Sequence, residues 1–192
     1  MPSHPLKLSP DAATTEVGTA LAALRTELEL PDAFAPEVLA EAEAAVYASR
    51  LPDVDLTAIP FVTIDPAGAT DLDQALAIER DGDGWLVRYA IADLPGFVEP
   101  GGAIDSEARL RGQTLYAADG RIPLHPTVIS EGAGSLLPGE TRGALVWEFR
   151  LDATGRPAST TVTRARAEPA TPRRTMARVW GRDPQDRMTR WY

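Results

Sequence analysis

Two short segments that contain Asp and Gly place the strongest constraint on the fold of this chain. They are Asp81-Gly82-Asp83-Gly84 and Asp152-Ala153-Thr154-Gly155, and each lies between two strand-like runs. The flanking runs are 75–79 and 85–92 for the first segment, and 144–151 and 159–164 for the second. Polar turn residues between runs rich in β-branched and aromatic side chains are typical of β-hairpins. The sequence therefore predicts two hairpins.

Helices are predicted before and between the hairpins. Ser9-Pro10-Asp11 is a typical helix start, with an N-cap serine before a proline, and Pro31 is expected to close this helix. Apolar residues recur at helical spacing after Pro36, until Leu51-Pro52-Asp53 ends a second, alanine-rich helix. A third helix is predicted over 104–111, where a glycine pair precedes it and a glycine follows.

Changes of pattern at Pro60 and after Arg166 divide the chain into three parts. Residues 1–59 are predicted to be a helical lead-in, residues 60–166 the main domain, and residues 167–192 a basic, disordered tail. The main domain opens with Phe61-Val62-Thr63-Ile64, which is predicted to be a strand. The expected fold class is α+β, a mixed sheet with flanking helices, preceded by two amphipathic helices.

Composition limits the classes of function. The chain has no cysteine, which excludes disulfides and thiolate ligands and leaves oxygen groups, His4 and His125 for any metal. No apolar run is long enough to cross a bilayer and no secretory signal is visible, so we expect a cytoplasmic protein without a membrane partner. The net charge is −9, with 8 − 3 = +5 from Arg164 onward and −14 before it, so a nucleic-acid partner would have to be bound locally, through a site, a metal or the tail.

The candidate functional residues are Asp65, Asp71 and Asp73, three carboxylates within nine positions. Carboxylates this close repel one another unless a cation or a proton lies between them, so the cluster is a candidate metal site. Oxygen ligands favour Mg²⁺ or Mn²⁺, and Pro66 with Gly68 allows a tight turn. The alternative is a solvated acidic turn that only caps the following structure. His125, a lone histidine between prolines, is interpreted as structural.

The Asp-rich segment 63–76 resembles the opening of the catalytic (RNB) domain of the ribonuclease II family, which begins with such a strand and loop. Other segments are similar to family motifs in the same order: Tyr89-Ala90-Ile91-Ala92-Asp93, the helix and strand over 101–116, Ile122-Pro123-Leu124-His125-Pro126, and Leu136-Leu137-Pro138-Gly139-Glu140. The resemblance covers residues 61–166 and identifies the N-terminal portion of such a domain.

The resemblance implies an exoribonuclease that degrades single-stranded RNA from the 3′ end to nucleoside 5′-monophosphates with Mg²⁺, or with Mn²⁺. It implies that Asp71 and Asp73 are catalytic and that the metal ligands are Asp65, Asp71, Asp73 and Gln74. Gln74 occupies the position of the family's fourth aspartate, so one negative charge is lost there. It also implies that Tyr116 binds RNA by stacking on a base near the 3′ end.

Family members complete the site with an arginine and a glutamate from the far half of the domain, and no equivalent of either is visible here. We therefore expect a truncated enzyme, and a chain that supplies the missing half is one candidate partner. The alternative is a catalytically weak or inactive RNA- or partner-binding fragment of the same fold. The short length and Gln74 favour this alternative.

Overall fold

The computed structural model describes residues 16–31, 33–65 and 68–170, and by their contacts these residues form two compact units. Within the described ranges, the first unit comprises residues up to 48 together with 98–128, and the second comprises 49–97 and the residues from 129 onward. The predicted helix start at Ser9 and the tail from residue 171 lie outside the described residues. The division into 1–59, 60–166 and 167–192 stays a prediction.

The first helix, α1, spans Glu16–Glu27 and ends before the boundary predicted at Pro31. Glu29 has a φ of +52°, the left-handed conformation that often terminates helices. The N–H of Leu30 donates to the carbonyl of Arg25 at 3.0 Å, which satisfies a carbonyl of the last turn. The chain therefore leaves the helix through a local backbone turn, and the proline is not what stops it.

Two further α-helices of the described residues, α2 at Pro36–Ala48 and α3 at Ala103–Arg111, confirm the predictions for these segments. The carboxylate of Glu41 on α2 accepts the N–H groups of Ala103 and Ile104 at 2.7 and 3.2 Å. Glu41 thus supplies acceptors and negative charge at the N-terminus of α3, where helical N–H groups lack partners. None of the helices in the described part of the chain is long and apolar enough to span a membrane.

A short hairpin of β4 (Leu115–Ala117) and β5 (Gly120–Ile122) completes the first unit as a separate two-stranded sheet. The Arg25 guanidinium on α1 donates to both carboxylate oxygens of Asp119 in the hairpin turn, at 2.8 and 2.5 Å. These bonds lower the pKa of Asp119 and tie the hairpin to α1.

The second unit is built on a five-stranded sheet in the order β1-β7-β6-β3-β2. The strands are β1 at Val54–Asp55, β2 at Gln74–Asp81, β3 at Gly84–Ala92, β6 at Arg142–Leu151 and β7 at Pro157–Ala167. The β2–β3 and β6–β7 pairs are antiparallel, which confirms both predicted hairpins. Because β1 pairs with β7 in parallel, the sheet is mixed, as expected for this α+β chain.

The segment Phe61-Val62-Thr63-Ile64 does not form the predicted strand. Within it, only Val62 pairs with the sheet, through an isolated antiparallel bridge to Leu76 with hydrogen bonds of 2.9 and 2.8 Å. The carbonyl of Phe61 accepts instead from the N–H of Ala170 at 2.9 Å, so it is not available to β2. The prediction was wrong because strand-like composition does not settle where the backbone groups find partners.

The core of the second unit lies on one face of the sheet. Small side chains line the centre of that face, so the larger side chains from the connecting segments pack close against the strands. The buried residues of this core are Phe61, Leu72, Ala75, Ala90, Leu136, Ala144, Val146, Ala165 and Ala167. Leu72 belongs to the Asp-rich segment, so the core also anchors the candidate site.

Candidate active site

The Asp-rich segment leads from the Val62 bridge into β2. Gly68 has a φ of +85°, a conformation that side chains rarely adopt, which favours glycine at this position, while Pro66 of the predicted turn lies outside the described residues. Leu72 is 4% exposed and buried in the core, while its neighbours Asp71 and Asp73 line a common cavity beside it. The segment around Leu72 has no helical turn, which lets residues two positions apart face the same space.

Ser135 holds this segment in place. Its hydroxyl accepts the N–H of Leu72 at 2.9 Å and donates to the carbonyl of Thr70 at 2.7 Å. The N–H of Leu136 adds a bond of 2.9 Å to the Leu72 carbonyl. Ser135 is 1% exposed, so these bonds are shielded from water and fix the backbone on both sides of Asp71. Sequence reasoning missed Ser135, although it directly precedes the motif that begins at Leu136.

A cavity of about 330 Å³ brings the predicted site residues together. All four predicted metal ligands line it: Asp65, Asp71, Asp73 and Gln74. The rest of its wall is mainly apolar and consists of Val62, Ile64, Ala75, Leu76 and Tyr89. Asp65 and Asp73 keep much of their surface in contact with solvent, so their apolar neighbours desolvate them only in part.

The electrostatics of the cavity follow from this arrangement. Burial raises the pKa of Asp65, and the charge of Asp71 raises it further, against a hydrogen bond from the backbone of Ile64 that lowers it. Burial also raises the pKa of Asp73, with additional contributions from the charges of Asp71 and Asp65. The three carboxylates thus lie in one another's field, and a positive charge among them would be stabilising.

The residues present fit Mg²⁺ or Mn²⁺ by the chemistry of their donor atoms, which are hard oxygens without sulfur. Within the described residues, no three acidic or histidine side chains already converge as a formed ion site. Binding would therefore have to draw the carboxylates together, against a repulsion that the ion itself relieves. The assignment of Asp65, Asp71, Asp73 and Gln74 as ligands, with Asp71 and Asp73 catalytic, stays a prediction.

Tyr89 is a second residue that sequence reasoning missed, and unlike Ser135 it lines the cavity. Its hydroxyl donates to Oε1 of Gln74 at 2.5 Å, so the two side chains form a pair on the cavity wall. Tyr89 opens the Tyr-Ala-Ile-Ala-Asp motif noted in the sequence. Its partnership with Gln74 depends on the pairing of β2 with β3, which the motif alone does not reveal.

Tyr116 belongs to the first unit, whereas the cavity residues belong to the second. It lies on β4 opposite Arg121 of β5, and its side chain is 72% exposed. Tyr116 also lines an apolar depression of about 360 Å³ in that unit, together with Leu21, Leu24, Leu28, Leu115 and Ile122. An exposed ring beside a cation suits stacking on a base. The RNA-binding role of Tyr116 stays a prediction.

His125 is buried, with 9% of its surface exposed. Burial lowers its pKa, because the charged imidazolium is poorly solvated in the interior. This position agrees with the structural interpretation of the lone histidine and keeps it out of the candidate site.

Comparison with known proteins decides the family. The RNB domain family matches residues 53–171 of the chain. The chain belongs to the RNB domain family. The match contains every residue of the cavity as well as Tyr116, and it begins before and ends after the stretch 61–166 for which the sequence showed resemblance.

The relatives of this RNB chain are much longer than the chain itself. Exoribonuclease 2 of Aeromonas hydrophila subsp. hydrophila is 43% identical over 96 residues, which are 50% of this chain and 14% of the relative. Ribonuclease R of Vibrio cholerae serotype O1 is 37% identical over 141 residues, which are 70% of this chain and 17% of the relative. The chain thus spans less than one fifth of either curated relative.

A solved structure shows the same fold. Mycoplasma genitalium RNase R in complex with double-stranded RNA is similar with a TM-score of 0.70 and 26% sequence identity. The similar region covers 79% of this RNB chain and 28% of that chain.

Proposed function

We propose that this RNB chain provides the metal- and RNA-binding part of a 3′–5′ exoribonuclease, which hydrolyses single-stranded RNA to nucleoside 5′-monophosphates. The observation that carries the proposal is that Asp65, Asp71 and Asp73 line one cavity in which burial and mutual repulsion raise the pKa of two of them. The relatives named Exoribonuclease 2 and Ribonuclease R support the same activity.

The proposed cofactor is Mg²⁺, with Mn²⁺ as a substitute, held by Asp65, Asp71 and Asp73. When bound, such an ion activates water and offsets negative charge on the phosphate. The protein's contribution is to hold Asp71 and Asp73 in place, which Ser135 and the buried Leu72 do through the backbone between them.

The proposed substrate is single-stranded RNA, and the proposed site of action is the cytoplasm. The solved RNase R relatives include complexes with RNA, which supports RNA as the ligand of this fold. Tyr116 is proposed to stack on a base, since a ring that is 72% exposed can be reached by an unpaired nucleotide. A second chain that contributes further parts of the domain is a proposed partner.

A second function, RNA binding with little or no turnover, is favoured by one observation. Gln74 carries no charge where the ribonuclease II pattern has a fourth aspartate, so the cavity holds three carboxylates and attracts a cation less strongly. The two functions share the site and the ligand and differ in whether the phosphodiester bond is broken.

Incubation of the purified chain with single-stranded RNA and Mg²⁺, followed by separation of the products, tests the proposal. We expect slow release of nucleoside 5′-monophosphates that is lost in Asp73→Asn and kept in Glu43→Gln, an exposed acid on α2. RNA binding without release in the wild type would favour the binding function. Absence of both binding and release, with the protein folded, would refute both functions.

A further inference from the structure

We infer that Gln74 does not act as a fourth metal ligand and instead donates a hydrogen bond to an anionic oxygen of the substrate, with Tyr89 as its positioning residue. This inference rests on the proposed function, because the anionic oxygen is that of a phosphodiester in the carboxylate cavity. It changes the role that the sequence assigned to Gln74 and gives Tyr89 a role that the sequence did not suggest.

The register of the sheet brings the two side chains together. Gln74 begins β2 opposite Ile91 of β3, and Tyr89 lies opposite Leu76, two residues further along β2. Gln74 and Tyr89 are therefore diagonal neighbours on one face, a separation that long side chains can bridge. The hydroxyl of Tyr89 reaches Oε1 of Gln74 at 2.5 Å, while both side chains line the cavity.

This contact determines which atoms of the Gln74 amide can bind a ligand in the cavity. A glutamine side chain has one carbonyl oxygen as acceptor and one NH₂ group with two donors. The Tyr89 proton lies on the carbonyl oxygen, and a cation on the same oxygen would be opposed by the positive end of that O–H bond. The second lone pair of that oxygen therefore lies in a field that disfavours a cation, whereas both N–H bonds of Gln74 can be used without breaking the contact.

A phosphodiester bound in this cavity would require hydrogen-bond donors close to its oxygens. Its charged side chains, Asp65, Asp71 and Asp73, are acceptors when ionised, and they repel a phosphodiester. An N–H group on the same wall would pair with a non-bridging phosphate oxygen and reduce that repulsion. An aspartate in place of Gln74 could not do so, because an ionised carboxylate has no donor.

The test measures Mn²⁺ binding and RNA binding separately, without relying on turnover. Calorimetry gives the Kd for Mn²⁺ alone, and a ribose-methylated single-stranded RNA in saturating Mn²⁺ gives the Kd for RNA. In Gln74→Ala we expect the Mn²⁺ Kd to stay within about twofold and the RNA Kd to rise about tenfold or more, since tenfold is near the lower end for a hydrogen bond to a charged group. Tyr89→Phe should show the same pattern with a smaller rise, because the amide is present but no longer held.

Matched controls separate this role from a structural one. Gln74→Met keeps the length of the side chain without its donors and should behave like Gln74→Ala, which guards against an effect of folding. Gln113→Ala and Tyr47→Phe, exposed residues of the first unit, should change neither Kd. Asp73→Asn should weaken Mn²⁺ binding, as expected for a ligand.

Two results in the variants would overturn the inference. A loss of Mn²⁺ affinity in Gln74→Ala as large as that in Asp73→Asn would mean that the glutamine carbonyl is a ligand. An unchanged RNA Kd in Gln74→Ala would mean that no donor is supplied. If the proposed function itself is wrong, the folded wild type will bind neither Mn²⁺ nor RNA, a result that the variants are not needed to detect. That result would also overturn the inference.

Discussion

Tyr116 has an exposed ring on a short strand, and its proposed role in RNA binding can be tested separately from the carboxylate cavity. Tyr116→Ala should weaken binding of single-stranded RNA by about 1–3 kcal/mol, because it removes a stacking platform. Tyr116→Phe should bind nearly as well, since the ring is retained. Fluorescence anisotropy with a labelled RNA measures both, and Tyr47→Ala, which removes a ring that is 92% exposed, is the control. Equal affinity of Tyr116→Ala and wild type would contradict stacking.

His125 should make the stability of the fold depend on pH. Its folded-state pKa is lowered by burial, so below its ordinary value of 6.5 the unfolded chain binds a proton before the folded chain does. The free energy of unfolding should therefore fall as the pH drops from 6.5 through the lowered pKa, and stay level above 6.5. His125→Gln should show a weaker fall in melting temperature over this range. If the imidazole of His125 titrates at its ordinary pKa in an NMR experiment on the wild type, this prediction is wrong.

The parts of the candidate site that could be predicted from the sequence are those formed by residues close together in the chain. Three aspartates around one turn indicate a shared cavity because short spacing alone keeps them close. Tyr89 could not be assigned, because its contact with Gln74 depends on the strand register. Ser135 could not be assigned either, because it bonds to Leu72 across 63 positions of sequence. No pattern near either residue encodes those contacts.

The loop that carries Asp71 should lose its fixed backbone when Ser135 is replaced. Ser135→Ala leaves the N–H of Leu72 and the carbonyl of Thr70 without the hydroxyl, so we expect a loss of about 1–3 kcal/mol in the free energy of unfolding. Mn²⁺ affinity should fall as well, although the hydroxyl is not a proposed ligand. Chemical denaturation and calorimetry measure the two effects. Ser159→Ala, on an exposed part of β7, is the matched control, and an equal effect of both variants would contradict the role of Ser135.

The N-terminus of α3 depends on a side chain from another helix. Glu41→Ala removes the acceptor for Ala103 and Ile104, and we expect it to cost about 0.5–2 kcal/mol, the usual range for a helix N-cap. Glu43→Ala, two positions along α2 and exposed, should cost much less. Urea denaturation of both variants compares them directly. Equal stability of the two variants would show that the cap contributes little.

The elements that could be predicted are those whose signals lie within them. The β2–β3 and β6–β7 hairpins follow from turn residues between long strands, and α2 and α3 follow from helical periodicity and their flanking residues. β1 was not predicted, because two residues carry no pattern and its partner, β7, lies about 110 positions away. The resemblance implied a strand near Tyr116, but the pairing of β4 with β5 was not predicted, because strands of three residues are too short to show alternation.

For the whole chain, the net charge of −9 makes general attraction to RNA unfavourable. The second unit adds to this problem, because three carboxylates line the cavity where the phosphodiester is proposed to bind. A divalent cation resolves both difficulties at one place, since it reduces repulsion among the carboxylates and attracts the phosphate. Both proposed functions of this RNB chain therefore depend on a bound divalent cation.

Titration of the folded, metal-free chain with Mn²⁺ in a calorimeter, paired with its melting temperature in millimolar Mn²⁺, tests this directly. We predict measurable binding heat and a higher melting temperature, because an ion that binds only the folded state stabilises it. Both effects should be lost in Asp73→Asn and retained in Glu43→Gln, which removes an equal charge from an exposed position. Absence of binding heat and of any rise in melting temperature, in a chain shown to be folded, would contradict the metal site.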